Sequence, residues 1–130
     1  MSANLDLARA WQDAANDGRI DDLLALSHPE FEMTEATALP GAHHVKGLDA
    51  LRSYCYGFAR NWSAAEWVEQ EAIELPPDRV VIVATLRLRG LRSSIWVEHS
   101  WAYQFVIRDG LVLHNNGFER KDQIPGLAVG

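Results

Sequence analysis

Moving a proton on a small molecule takes a group that titrates near neutrality and a donor able to hold a developing negative oxygen. Both types occur in the run Ile95-Trp-Val-Glu-His-Ser-Trp-Ala-Tyr-Gln-Phe-Val-Ile107. With the period of two expected of a strand, Ile95, Val97, His99, Trp101, Tyr103, Phe105 and Ile107 share one face. That face is apolar except for an imidazole and a phenol on either side of an indole. His99 is therefore the candidate base and Tyr103 the candidate donor to a ligand carbonyl or enolate. Glu98 neighbours His99 in the chain but faces the other way. The structural alternatives are a core histidine bonded across a helix–sheet interface and a tyrosine satisfying a buried carbonyl.

The chain holds five tryptophans. Trp11 and Trp101 are the candidates for a ligand-binding wall, against the alternative that indoles at helix or strand spacing build a core. Phe58 is expected in the core. Asn115 and Asn116 lie on opposite faces of a final strand, so one of them looks inward. A three-residue turn before that strand would favour Asn115, and a two-residue turn Asn116. The pair His43-His44 diverges on an extended segment, and neither H-x-H nor H-E-x-x-H occurs, so no metal site is expected. Closure over a pocket mouth is the remaining role for either. No glycine-rich phosphate loop, Ser-His-Asp order or redox cysteine pair is present, and no cofactor is expected. The single Cys55, between Tyr54 and Tyr56, reads as a packing residue.

Helices must position these groups first. Leu5, Ala8, Trp11 (or Gln12) and Ala15 recur at helical spacing up to Asn16-Asp17-Gly18. Ile20, Leu23, Leu24 and Leu26 mark a second helix, ended by Pro29. A short strand follows over Phe31 to Thr34, then a long loop from Glu35 to Lys46. Leu48, Leu51, Cys55 and Phe58 give a third helix, with Tyr54 and Trp62 beside its stripe. Beyond Asn61 the pattern is strand: Trp67 to Leu75, Val80 to Leu88, the run carrying His99, and a last strand after the hairpin turn Asp109-Gly110. Helices first and an antiparallel meander afterwards define an α+β class. Val81 and Val83 leave an apolar patch on the face opposite Ile82 and Ala84, expected to be covered by a partner.

The 130 residues make one domain over 1–130, with a core from about 5 to 123 and a short C-terminal tail. Acidic residues outnumber basic ones by 18 to 12, a net charge of −6, which argues against a nucleic-acid partner. No apolar run nears the roughly 18 residues that span a bilayer. The first six residues lack a basic region and an apolar stretch, so no signal peptide is expected and the cytoplasm is the default location.

The phrases Ala10-Trp-Gln-Asp-Ala-Ala-Asn-Asp-Gly18, Leu23-Leu-Ala-Leu-Ser-His-Pro-Glu-Phe31, Val45-Lys-Gly-Leu-Asp-Ala-Leu-Arg52 and Phe105-Val-Ile-Arg-Asp-Gly110 carry a resemblance in their order and spacing. The chain resembles the SnoaL-like branch of the NTF2-like superfamily from about Leu5 to Gln123. The resemblance implies an α+β cone, a strongly bent sheet wrapped around helices with a deep pocket open at one end. It also implies a homodimer through the outer sheet face. Family activities include ketosteroid isomerisation, polyketide ring closure, epoxide hydrolysis and dehydration, beside binding and scaffolding modules, so the fold does not choose among them.

Set against ketosteroid isomerase, its first-helix tyrosine falls at Trp11, its aspartate base near Met33 and its protonated aspartate donor near Tyr103. Trp11 donates one hydrogen bond but does not shuttle a proton, and Met33 is neither acid nor base. Ketosteroid isomerisation itself is therefore not expected. Of the nearby carboxylates, Glu32 faces away on a regular strand, while Glu35, two residues beyond Met33, shares its face. Trp11, Met33, Trp101 and one of Asn115 and Asn116 are the expected pocket residues. The expected ligand is a small apolar or aromatic molecule bearing oxygen. An acid–base isomerase, cyclase or dehydratase fits; a non-catalytic ligand-binding domain and a dimeric scaffold are the alternatives.

Overall fold

Ser2 caps the first helix by accepting a hydrogen bond from the Leu5 N–H at 3.1 Å. The structure, a computed structural model, describes residues 2–35, 44–91 and 95–127, and for 59–61 the backbone alone. Helix α1 (Ala3–Asn16) turns its Ala8, Trp11 and Ala14 stripe inward. Gly18 takes a φ of 68°, a left-handed conformation that glycine reaches without a Cβ clash, and the chain re-enters α2 (Ile20–Ala25). That helix stops four residues before Pro29 rather than at it. Pro29 instead lies inside strand β1 (Ser27–Thr34), in the stretch between Ser27 and Glu32 where the ladder with the last strand is interrupted. Proline has no N–H to give, and it sits where none is needed.

Strand β2 (His44–Lys46) occupies the end of the expected loop and pairs antiparallel with β1, Val45 opposite Met33. Three residues are too few to show a period. Helix α3 (Leu48–Asn61) leads directly into β3 (Trp62–Leu75), which begins five residues before the apolar alternation signals it. Strands β4 (Arg79–Gly90), β5 (Trp96–Arg108) and β6 (Leu111–Phe118) complete one sheet in the order β2-β1-β6-β5-β4-β3. Only the β1–β6 pair is parallel among these neighbours. Extra residues at Ser63, Gln70 and Leu113 break the register of β3 and β6, and such bulges bend strands and add twist. The α+β class and the curved, mainly antiparallel sheet expected from the sequence are what the chain adopts.

The concave face holds the core. Phe31 and Phe105 are completely buried, and Trp11 stacks on Phe31 at 6.0 Å and meets Phe105 edge-on at 5.7 Å. Ala8, Leu51, Ile82 and Val112 fill the space around them.

On the convex face, Val81 and Ala102 are also buried, by the chain's own C-terminal segment. A 3₁₀ turn (Lys121–Gln123) brings Ile124 and Leu127 over them. Arg79 holds this segment, donating to Gln104 Oε1 at 3.0 Å and to the Pro125 carbonyl. Gly126, with a φ of 81°, lies so close to Arg79 that an added Cβ would stand 2.8 Å from its Nη2. Over Val81, then, the cover assigned to a partner comes from within the chain, and Ile124 is core rather than tail.

Candidate functional site

Between α1, α3 and the concave face of the sheet lies a cavity of about 530 Å³. Its apolar wall is built by Trp11, Leu23, Met33, Leu51, Phe58, Trp62, Leu86 and Trp101. Leu51, Tyr54 and Phe58 reach it together because residues three and four apart share a helix face. From α3 the aromatic wall continues onto the sheet: Tyr54 and Phe58 have centroids 6.1 Å apart, and Phe58 stacks on Trp67 at 5.8 Å.

Polar side chains also reach the cavity, several of them held by neighbours. Tyr54 donates to Glu35 Oε2 at 2.6 Å. Burial, and then this bond and the Glu35 charge, push the Tyr54 hydroxyl well above the ordinary tyrosine range. Tyr103 accepts a hydrogen bond from Trp67 Nε1 at 3.1 Å. Its hydroxyl is also raised, by burial first; the Trp67 bond pulls it down and the Glu35 charge pushes it up. Tyr103 is thus a neutral donor at physiological pH. Asn115, 5% exposed, lines the same cavity, and its Nδ2 has no hydrogen-bond partner among the described residues. A buried donor left unpaired is costly unless a ligand or a water meets it. Burial raises the Cys55 thiol, so this lining cysteine stays protonated.

A family model described as the SnoaL-like domain matches residues 8–115, most of the chain and all the elements that wall the cavity except the end of β6. The chain belongs to the SnoaL-like domain family. Comparison with curated protein sequences gives no match. Among solved structures, TerC co-crystallised with polyporic acid is 19% identical, with a TM-score of 0.80 over 94% of this chain and 95% of that one. An NTF2-like protein of unknown function from Burkholderia pseudomallei K96243 is 15% identical, with a TM-score of 0.81 over 95% of each chain. A protein with a ketosteroid isomerase-like fold from Catenulispora acidiphila DSM 44928, solved with trimethylamine, is 12% identical, with a TM-score of 0.76 over 86% of this chain and 83% of that one. These likenesses establish a shared fold.

In this SnoaL-like domain, Trp11, Met33, Trp101, Tyr103 and Asn115 all line the cavity. Trp11, however, gives its one donor to Ser27 Oγ at 3.0 Å, and Ser27 passes a bond to the Leu23 carbonyl at 2.8 Å. Its indole is therefore an apolar wall and a tie between α1 and β1. His99 is not brought together with the others: it is exposed, outside the cavity lining, with its ring tilted against Trp101 at 4.1 Å. Strand alternation puts it on the same face as Tyr103, but four residues away along β5, past the buried Trp101. Asn116 opens on an outer cleft beside Thr34, Phe118 and Glu119. His44 is exposed on β2, 3.4 Å from Glu32, and His43 lies outside the described residues.

Gln12, Tyr54 and Trp67 are cavity residues that the sequence did not single out. For Tyr54 the signal was present, since it accompanies Leu51, Cys55 and Phe58 on the α3 stripe. For Trp67 it was the aromatic start of an alternating run.

Proposed function

We propose that this SnoaL-like domain binds an apolar, oxygen-bearing small molecule inside the cone and moves a proton on it. Tyr103 and Asn115 would donate to the ligand oxygen, and Glu35 would accept the proton. One observation carries this: the donor Tyr103, the unpaired Asn115 amide and the Glu35 carboxylate share one largely apolar and aromatic cavity. Polarising a carbonyl with fixed donors lowers the energy of the enolate, and a nearby carboxylate can take the proton released. An isomerase, a cyclase or a dehydratase fits that chemistry. TerC holding polyporic acid, on the same fold, supports an aromatic oxygenated ligand. His99, outside the cavity wall, has no step in this scheme.

A thermal-shift screen of aromatic ketones, quinones and lactones, followed by turnover assays on the hits, tests the proposal. Glu35→Gln is expected to lower turnover by roughly 10²-fold or more with ligand still bound, as a positioned proton transfer contributes about 10²–10⁴. Binding without turnover, in the native chain and the variant alike, would favour a non-catalytic ligand-binding domain.

The proposal extends to a homodimer through what the C-terminal segment leaves open on the convex face. Val68, Thr85, Ser100 and Trp96 lie there, on rows with the Glu66–Arg87–Glu98 ion pairs.

A further inference from the structure

Trp67 makes two kinds of contact that meet in one place. Its indole N–H is aimed at the Tyr103 hydroxyl oxygen at 3.1 Å. Its backbone is gripped at both ends by one side chain, that of Asn16 in the last turn of α1: Asn16 Oδ1 accepts from the Trp67 N–H at 2.7 Å, and Asn16 Nδ2 donates to the Trp67 carbonyl at 3.0 Å. A single amide thereby does what a neighbouring strand would do, fixing β3 at Trp67 to the end of α1. The indole plane is set in turn by stacking on Phe58. Backbone and ring are both held, so the direction of the N–H is held as well.

A phenol oxygen that accepts a hydrogen bond on one side cannot keep its own hydrogen there, because the two hydrogens repel. The Tyr103 hydrogen is turned away from Trp67, and it meets no acceptor among the described residues. The bond also polarises the hydroxyl, and in a buried site each bond in such a chain strengthens the next. The Tyr103 hydroxyl is therefore presented as a directed donor rather than a free rotor.

We propose that Trp67, clamped by Asn16, is a positioning residue that turns and strengthens the Tyr103 hydroxyl as a donor to a ligand oxygen. This rests on the proposed role of Tyr103 as the donor, and it adds a requirement on the ligand: the group facing Tyr103 is a pure acceptor, a carbonyl, quinone or enolate oxygen, in preference to a hydroxyl that must itself donate.

The test uses the full chain and two probes of the same shape, methyl 2-naphthyl ketone and 2-isopropenylnaphthalene, which differ in an acceptor oxygen. The native protein is expected to prefer the ketone by about tenfold, in the range of one or two directed hydrogen bonds, and to lower the stretching frequency of the bound carbonyl. Tyr103→Phe is expected to remove most of both effects, leaving only what Asn115 supplies. Trp67→Phe, which keeps an aromatic ring against Phe58, is expected to cut the preference by roughly threefold and to move the carbonyl stretch part of the way back, with the hydrocarbon bound as before. Replacing the Trp67 indole by benzothiophene keeps its outline without the N–H, and the same change is expected even where the phenylalanine variant folds poorly.

A merely structural Trp67 would weaken both probes alike and leave the carbonyl stretch in place. That result, or a native-like preference in the benzothiophene protein, overturns the positioning role while Tyr103→Phe still reports on the donor. If Tyr103→Phe changes nothing, or neither probe binds the native chain, the donor role fails and the positioning role with it.

Discussion

Tyr54 and Tyr103 give this protein an alkaline signature. An acid that keeps its proton longer in the folded chain stabilises the fold fully below its unfolded value, near 10 for tyrosine, and that contribution disappears as pH rises through the folded value. Both hydroxyls are raised by burial, so stability is expected to fall above about pH 10, each tyrosine steepening the slope by up to about 1.4 kcal/mol per pH unit. Urea melts between pH 9 and 11.5 would show a shallower fall in Tyr103→Phe; identical slopes would contradict the burial argument. Asn115 makes a second prediction at this scale. Replacing its amide with an apolar group of similar size removes an unpaired donor, so Asn115→Leu is expected to leave stability within about 1 kcal/mol of the native chain or to raise it. The same variant should lose affinity for oxygenated ligands. A drop in melting temperature with unchanged affinity would assign Asn115 to the fold.

At the scale of elements, the C-terminal segment behaves as a cover. Ile124 and Leu127 shield Val81 and Ala102, and Arg79 pins the segment through Pro125. Ending the chain after Arg120 bares an apolar face, which is expected to bind a hydrophobic dye and drive self-association. Gly126→Val should reproduce part of this, because a branched residue at φ 81° is strained and its Cβ meets Arg79. Dye fluorescence unchanged in both variants would mean the cover is dispensable. The core pair is less tolerant: Phe105→Ala, at a completely buried position against Trp11, is expected to cost about 3–5 kcal/mol in chemical denaturation.

For the whole molecule, charge and association act together. Each copy carries −6, so two copies repel, and the proposed dimer should tighten as salt screens that repulsion. Light scattering at micromolar concentration is expected to give twice 14.6 kDa, with more dimer at 0.3 M than at 0.03 M salt. Val68→Asp, on the open part of the convex face, should shift the equilibrium toward monomer. A monomer mass throughout would remove the pairing from the proposal. No described helix is long and apolar enough to cross a membrane.

The elements and their order were legible in the sequence because helix and strand periods are local. The α1 and α3 stripes, the alternation of β4 and β5, and the Asp109-Gly110 turn each follow from a few adjacent residues. Family phrases, spread along the chain, added the cone. Tertiary structure alone decided how far along each face the cavity reaches. His99 and Tyr103 share a face, but on β5 the cavity wall stops at Trp101, between them, and no local pattern encodes that edge.

Asparagine orientation shows the same limit. The hairpin has the two-residue turn that alone would point Asn116 inward, with Asp109 and Gly110 both at positive φ. The bulge at Leu113 then reverses the alternation, so that Asn115 pairs with inward-facing Phe105 and reaches the cavity. A one-residue bulge leaves no reliable trace in composition or period. Nor could spacing foresee that Glu35, Tyr54, Trp67 and Tyr103, scattered over loop, helix and two strands, would converge, since that requires the sheet to curl.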